Sequence, residues 1–326
     1  MTFTFSVSAE KKVDPCRSAW MEGGWGVRIL LPGGDREELG SFEVEEFAEQ
    51  IKQLDSISWV MLNVTQGACG SLYTAPHPVL EKHIHPAMAP TRDLLGEMIK
   101  ELRKSDVKVL VYYASEGPAK VKKWTHHLEY TVQGSFENWD KYCATLEMTS
   151  KQAIAEKIIK YYSLKYGKNI DGWWFDHAGH ADTKLFADAA RAGNPNSVVS
   201  FNMGHTGQVA RGAAEEDVAF GHPTQIVKQL PSWEGNASMI RTIENSQYVD
   251  GVLGHMFIPM QKGWWKHEPV FSTEQATDWT LRVVKAKGAY TWAVALGENA
   301  DDMFGMADYQ FAQLLEINKQ IKRLRQ

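Results

Sequence analysis

An aspartate beside aromatic residues is the side chain of this sequence best suited to chemistry. Asp176 follows Trp174 and Phe175 at the end of an apolar run, and His177 comes directly after it. An ionised carboxylate can attack an electrophilic carbon or stabilise a developing positive charge. The aromatic residues suit a sugar site, because their flat apolar faces stack on pyranose rings. The structural alternative is that Asp176 caps a helix-like run that starts near Asp182.

Retaining hydrolysis of a glycoside also needs a proton donor about 5 Å from the nucleophile. The donor is a carboxylic acid whose surroundings raise its pKa, or a histidine. We take Glu116 and His255 as candidates, because each is expected at or just beyond the end of an apolar run. Glu216, between Glu215 and Asp217, is a further candidate, since it lies 40 residues after Asp176. His222 follows another such run. For each of them, a charged surface turn or a histidine with a purely structural role is the alternative.

Further residues are predicted to line the same pocket, because parallel strands bring their carboxyl ends together at one face. They are Trp174, His177, Tyr113, Asn202 and Trp264. For Trp264, packing within a loop is an equally good explanation.

The elements that must position these residues alternate between apolar runs and helix-like runs. The predicted strands are residues 25–31, 57–64, 107–113, a run ending at 176, 197–202, 217–220, 249–257 and 289–295. Eight such alternations indicate an α/β fold, a (β/α)8 barrel forming one catalytic domain over residues 25–326 after an N-terminal extension, residues 1–24. An open doubly wound sheet also alternates, but no Gly-x-Gly-x-x-Gly follows the first strand.

Composition narrows the range of partners. The 326 residues carry a net charge of −5, so there is no basic footprint for nucleic acid. No apolar run reaches the length of about 18 residues that a membrane span needs. Twelve tryptophans fit a protein that faces carbohydrate, or simply a large core. Three cysteines imply no disulfide framework. Residues 1–12 are not a complete signal peptide; a trimmed signal would imply export, and otherwise the cytoplasm is expected.

A family resemblance follows from these residues. Gly-Trp-Trp-Phe-Asp, after a helix ending in Tyr-Tyr-Ser-Leu-Lys-Tyr-Gly, resembles the nucleophile strand of the α-L-fucosidases, family 29 of the glycoside hydrolases. Their motif is Trp-Phe-Asp-Gly, and its aspartate is the nucleophile. The resemblance implies that Asp176 is the nucleophile and that His177 stands where the family has glycine. It extends over most of the barrel, through residues 25–30, 92–97, 102–104, 109–115, 199–202 and 254–257.

The resemblance implies a retaining glycosidase that acts on an α-L-fucoside or a related sulfated or galactose-type glycan, with no cofactor and no metal. The fucosidases hold the fucose hydroxyls with His-Trp-Gly and His-His-Asp segments. This sequence has Leu-Pro-Gly at residues 31–33 and Thr-Gln-Gly at 65–67, so the pocket is rebuilt and Gln66 is a predicted substrate contact. The related endo-acting fucan hydrolases resemble this barrel too, and there a histidine replaces the carboxylic acid. The C-terminal β-sandwich of the fucosidases is not expected here.

Two other classes of function stay open at this stage. The pairs His83 and His85, and His177 and His180, could join Asp176 in a zinc site, which would make the protein a metal-dependent hydrolase or isomerase. The second class is a non-catalytic barrel that binds saccharide without cleaving it. Oligomeric state, sugar, linkage and endo or exo action do not follow from the sequence.

Overall fold

A computed structural model describes residues 17–34, 37–66, 72–120, 132–204, 207–222, 233–264, 268–297 and 305–326. The strands are β1 (Trp25–Ile29), β2 (Trp59–Asn63), β3 (Thr65–Gln66), β4 (Leu72–Tyr73), β5 (Lys108–Ala114), β6 (Gly172–Asp176), β7 (Val198–Phe201), β8 (Tyr248–Val249), β9 (Val252–Leu253), β10 (His255–Pro259) and β11 (Ala289–Ala293). The main sheet has seven strands in the order β10-β11-β1-β2-β5-β6-β7, and every pair in it is parallel. This confirms the predicted parallel α/β architecture.

The sheet curls back on itself. Trp174 of β6 and Phe257 of β10 belong to strands near opposite ends of the strand order, yet their ring centroids lie 4.8 Å apart. Residues 217–221 lie between the two ends of the sheet. Asp217 donates its N–H to Val199 of β7, while Ala219 donates to Leu253. The backbone polar groups at this edge are therefore satisfied without a regular strand.

The predicted sixth strand, residues 217–220, differs from expectation. Within the described residues, Val218 makes a single parallel bridge with Leu253, and residues 217–220 form no extended ladder. Side-chain carboxylates accept some of the backbone N–H groups of β7 that a neighbouring strand would otherwise bond. Asp217 accepts the N–H of Val199 at 3.0 Å, and Glu216 accepts that of Phe201 at 2.5 Å. A segment whose acidic side chains bond to the neighbouring strand does not have the apolar pattern of a buried strand.

Helices connect the strands, as the alternation predicts. They are α1 (Glu37–Ser41), α2 (Val44–Gln53), α3 (Leu94–Arg103), α4 (Ser135–Thr145), α5 (Ser150–Ala153), a π-helical segment (Ile154–Ile159), α6 (Lys160–Tyr166), α7 (Thr183–Ala190), α8 (Trp233–Asn245), α9 (Thr273–Lys285) and α10 (Asp308–Arg325). None of the described helices is long and apolar enough to cross a membrane.

A helix cap corrects one expectation. Asp182 accepts the N–H of Leu185 at 3.1 Å and caps α7, so the cap role considered for Asp176 belongs to Asp182. The Thr149 hydroxyl caps α5 in a reciprocal pair with Gln152.

Two apolar layers hold the sheet. The larger joins the outer face of the strands to the helices, and the smaller fills the inside of the curl. Alternation along each strand decides which layer a residue joins. The inner layer consists of Met21, Trp59, Met61, Leu110, Tyr112, Ala114, Trp174, Val198, Val218, Phe220, Leu253, Phe257, Ala289 and Ala293. Mostly apolar side chains therefore fill the interior of the curl.

Candidate active site

The candidate site lies at the carboxyl ends of β5, β6 and β7. Asp176 is the last residue of β6, where it pairs with Ala114 of β5. Asn202 directly follows β7, and its N–H donates to the carbonyl of Phe175 at 2.8 Å. Because the strands are parallel and in register, residues far apart in sequence meet at one edge.

Both oxygens of Asp176 are held by neighbouring groups. The Oδ1 atom accepts a hydrogen bond from Asn202 Nδ2 at 2.6 Å and another from the backbone N–H of His177 at 2.9 Å. The Oδ2 atom accepts a short hydrogen bond from the Tyr112 hydroxyl. The residue is only 7% exposed, so these bonds fix the direction in which the carboxylate faces.

The surroundings of Asp176 favour its ionised form. Burial, the largest single influence, raises the pKa of Asp176, while attraction to His177 and His222 lowers it. The hydrogen bonds from Tyr112 and Asn202 act in the same direction, and the resulting pKa is about 2. A carboxylate that stays charged while buried suits a nucleophile.

His177 has an uncommon backbone conformation that places its ring beside two carboxylates. Its φ of 51° and ψ of 38° lie in the left-handed region that favours glycine. Its Nε2 lies 3.4 Å from Asp176 Oδ2, and its Nδ1 lies 2.8 Å from Glu116 Oε1. The second contact is close enough for an ion pair. Glu116, fully buried after β5, therefore holds His177 against Asp176.

An aromatic wall stands beside the carboxylate. Tyr112 stacks on Trp174 with ring centroids 5.5 Å apart, and the His222 ring lies 5.5 Å from Trp174. Trp264 stacks on His222 at 4.6 Å and contacts Phe257 at 5.1 Å. Of the residues predicted to line the pocket, Trp174 and Trp264 lie in this wall, and Asn202 bonds to Asp176 beside it.

Tyr113 faces the other way. It lies in the outer layer, where its hydroxyl is 3.3 Å from that of Tyr73. The expectation that Tyr113 lines the pocket is wrong, because Tyr112 and Tyr113 point to opposite faces of β5. In the sheet register Tyr112 pairs with Trp174, whereas Tyr113 pairs with Phe175. Tyr112 is a site residue that the sequence analysis did not identify.

Glu216 is buried, and both of its carboxylate oxygens bind backbone. Oε1 accepts the N–H of Phe201, and Oε2 accepts those of Gly212 and, at 3.1 Å, Ala213. Burial raises the pKa of Glu216 to about 8, while the three backbone donors act in the opposite direction. These contacts attach residues 212–216 to β7, which is a structural task.

His255 begins β10 and does not stand at its end as expected, so it lies at the amino end of the strand. Its Nδ1 is 3.1 Å from the Ala219 carbonyl, and its Nε2 is 2.8 Å from Thr291 Oγ1. A carbonyl only accepts, so Nδ1 carries the proton and Nε2 accepts from the hydroxyl. Burial lowers the pKa of His255 to about 4. The sequence predicts one strand over residues 249–257, because the apolar run begins well before His255. In the structure the first part of this run belongs to a separate hairpin, residues 248–253, and the strand starts only at His255.

The remaining predictions concern Gln66 and metal. Gln66 lies in the short strand β3, which pairs with β4. His83 stacks on Tyr142, and His85 Nδ1 accepts the N–H of Ala87, so neither joins His177. In the part of the chain that the structure describes, no group of three or more His, Cys, Asp or Glu side chains is placed to hold a metal ion.

The fold and site together define an α/β protein with a buried carboxylate and an aromatic wall at the carboxyl end of a parallel sheet. The chain belongs to the family described as endo-α(1,4)-fucoidanase Mef1, which matches residues 15–213, more than half of its length. No curated protein is significantly similar to it in sequence.

Solved structures share the fold. The endo-fucoidan hydrolase MfFcnA4 from glycoside hydrolase family 107 has a TM-score of 0.81 at 21% identity, over 98% of this chain and 55% of that one. The endo-fucoidan hydrolase P5AFcnA of the same family has a TM-score of 0.80 at 20% identity, over 95% and 94%. The α-L-fucosidase AlfC from Lactobacillus casei, in complex with α-L-fucose, has a TM-score of 0.60 at 13% identity, over 96% and 100%. The chain spans little more than half the length of MfFcnA4.

Proposed function

We propose that this protein is an endo-acting glycoside hydrolase that cleaves α-L-fucosyl linkages of a fucan polysaccharide with retention of configuration. The observation that carries the proposal is Asp176, a buried carboxylate that is held ionised at the carboxyl end of β6, beside an aromatic wall. Membership of the endo-α(1,4)-fucoidanase Mef1 family supports the choice of a fucan as substrate.

Asp176 acts as the nucleophile in this proposal. Asn202, Tyr112 and the His177 N–H restrain its oxygens, which lowers the entropy lost when a sugar carbon approaches. The His177 ring touches the carboxylate and is itself backed by Glu116. Glu116 and His177 are therefore positioning residues, since a group in contact with the nucleophile is badly placed to reach the leaving oxygen.

His222 acts as the proton donor and later as the base. Of the four candidates from the sequence, Glu216 and His255 are engaged in structural contacts and Glu116 lies behind His177. His222 stacks on Trp264, and its attraction to Asp176 helps to lower the pKa of that carboxyl, which indicates proximity. The resemblance to endo-acting fucan hydrolases, in which a histidine replaces the acid, supports the same assignment.

The reaction then proceeds in two displacements. Asp176 attacks the anomeric carbon, the glycosidic C–O bond breaks, and His222 gives its proton to the leaving oxygen. In the second step a water gives a proton to His222 and attacks the same carbon from the opposite side, which breaks the ester to Asp176. Two inversions at one carbon give a product with the original configuration. We infer in addition that residues 25–326 form a closed (β/α)8 barrel. Residues 217–221 take the position of its eighth strand.

The stereochemistry of the first product tests the proposal. The protein is incubated with size-defined fucan oligosaccharides, and the anomeric protons of the new reducing ends are followed by NMR before mutarotation. We expect α-configured ends on fragments larger than a monosaccharide. First appearance of the β-anomer would refute the two-step mechanism, and fucose alone as product would refute endo action. Binding without cleavage would favour the non-catalytic saccharide-binding barrel.

A further inference from the structure

A buried arginine stands inside the curl of the sheet. Arg28 lies on β1 and is 4% exposed. Its guanidinium carbon is 5.0 Å from the ring centroid of Tyr112 and 5.8 Å from that of Trp264. Tyr112 holds the nucleophile and Trp264 belongs to the aromatic wall, so Arg28 lies directly beside the candidate site.

Arg28 lacks the partners that a buried guanidinium needs. Its Nε and Nη1 atoms have no hydrogen-bond partner in the described residues. Burial lowers the pKa of Arg28, although attraction to Tyr112 and Asp176 acts in the opposite direction. A charged group that is buried with unmet donors destabilises a fold by several kcal/mol unless something else compensates.

The nucleophile does not supply the missing acceptor. The hydrogen bonds to Asp176 come from Tyr112, Asn202 and His177. Among the described residues, no ion pair joins Arg28 to a carboxylate. The aromatic rings of Tyr112 and Trp264 offer cation–π contact, which leaves the N–H groups without oxygen acceptors.

We propose that Arg28 binds an oxyanion substituent, a sulfate ester or a carboxylate, on the sugar that occupies the Asp176 site. A guanidinium presents several N–H donors in a plane and matches the oxygens of such an anion. The carboxylates Asp176 and Glu116 repel an anionic sugar, and Arg28 offsets that repulsion. This inference rests on the proposed function and deepens it, because it makes Arg28 the residue that selects charged over neutral substrate.

The experiment compares Arg28→Met and Arg28→Lys with wild type and with Arg323→Met, an exposed arginine of α10 that serves as the control. Binding of inorganic sulfate, acetate and glucuronate is measured by calorimetry and by tryptophan fluorescence, since Trp264 adjoins Arg28. Hydrolysis is measured as kcat/KM on matched sulfated, uronic-acid-bearing and desulfated oligosaccharides. Thermal unfolding is recorded for each variant.

We expect Arg28→Met to lower kcat/KM on the preferred charged oligosaccharide by about 10–100-fold, which is the loss typical of a hydrogen bond to a charged group, and to spare the desulfated one. Free anion binding should be lost in Arg28→Met, partly kept in Arg28→Lys and unchanged in Arg323→Met. Because Nε and Nη1 of Arg28 have no hydrogen-bond partner among the described residues, Arg28→Met should unfold at the wild-type temperature or above it. Comparing the sulfate measurements with the acetate and glucuronate measurements shows which kind of anion Arg28 binds.

Three results would overturn the inference. One is an equal loss on charged and neutral oligosaccharides, another is free anion binding that survives Arg28→Met or is absent in wild type, and the third is a marked fall in unfolding temperature, which would indicate a structural arginine. Failure of the proposed function looks different. In that case no oligosaccharide is cleaved, while anion binding still depends on Arg28.

Discussion

Replacing Asp176 by asparagine separates the chemical role of the carboxylate from its structural role. The amide keeps an oxygen at the Oδ1 position, where Asn202 and the His177 N–H donate. Its NH₂ group takes the Oδ2 position and faces the Tyr112 hydroxyl, which can rotate to accept a hydrogen bond. Each polar atom of the asparagine can therefore keep a partner, so the variant should fold.

The cost in stability follows from the pKa of Asp176. It falls from 3.8 to about 2 in the folded protein, a change of about 1.8 units. At 1.36 kcal/mol per unit, ionised Asp176 contributes about 2 kcal/mol to the free energy of unfolding. Because the folded pKa is the lower one, this contribution is present above pH 3.8 and is lost as the pH falls toward 2. Asp176→Asn should lose it at neutral pH.

The effect on turnover should be far larger. A neutral amide can neither attack the anomeric carbon nor stabilise an oxocarbenium ion, so kcat should fall on the order of 10⁴-fold or more. Reducing-end assays on fucan oligosaccharides measure the rate, and denaturant unfolding at pH 7 measures stability. Azide added to Asp176→Ala, whose short side chain leaves space beside the sugar, should yield the glycosyl azide of inverted configuration.

Asp182→Asn is the matched control, since asparagine caps a helix as well as aspartate does. It should leave both rate and stability unchanged. Near wild-type turnover in Asp176→Asn would refute the nucleophile assignment. Lost turnover with no loss of stability would refute the electrostatic account, because the attraction to His177 and His222 should disappear with the charge.

Further predictions concern three other buried groups. Tyr112→Phe removes a hydrogen bond to the nucleophile and should lower kcat by about 10–100-fold, whereas Tyr113→Phe, on the opposite face, should leave kcat unchanged. Glu216→Gln presents an NH₂ to backbone donors, so the free energy of unfolding should fall by about 1–3 kcal/mol while the kcat of the folded fraction persists. The folded pKa of His255 is about 4 against an ordinary 6.5, so stability should fall as the pH drops from 6.5 to 4. In His255→Gln that fall, followed by denaturant unfolding across this range, should be smaller, and an unchanged profile would contradict the neutral, fully bonded histidine.

The parallel architecture could be predicted because most strands are unbroken apolar runs. Trp59–Asn63 and Lys108–Ala114 are buried on both faces, so their sequences carry no competing alternation. The failure at residues 217–220 has the opposite cause. There the side-chain carboxylates of Glu216 and Asp217 accept N–H groups of β7. Hydrophobic periodicity does not detect hydrogen bonds between side chains and a neighbouring strand.

The site could be predicted only in part, because its composition depends on register. The aromatic motif identifies Asp176, and the parallel arrangement brings Asn202 to it. Whether Tyr112 or Tyr113 faces inward depends on pairing Tyr112 with Trp174, and a shift of one residue exchanges the two faces. The sequence also offers no sign that Arg28 is buried inside the curl, since an arginine in an apolar strand equally suggests an edge.

His177 shows how the chain departs from its resemblance to the fucosidases at the point of greatest consequence. The left-handed backbone there suits the glycine of the fucosidase motif, and a residue with a side chain bears strain of about 1–3 kcal/mol. A glycine would relieve that strain but would remove the ring that contacts Asp176 and Glu116. The same turn also aims the His177 N–H at Asp176 Oδ1, so backbone and side chain act on opposite oxygens of one carboxylate. A strained residue that contacts both oxygens of Asp176 fits the positioning role proposed for His177. A histidine without such a role would bear the strain with nothing to offset it.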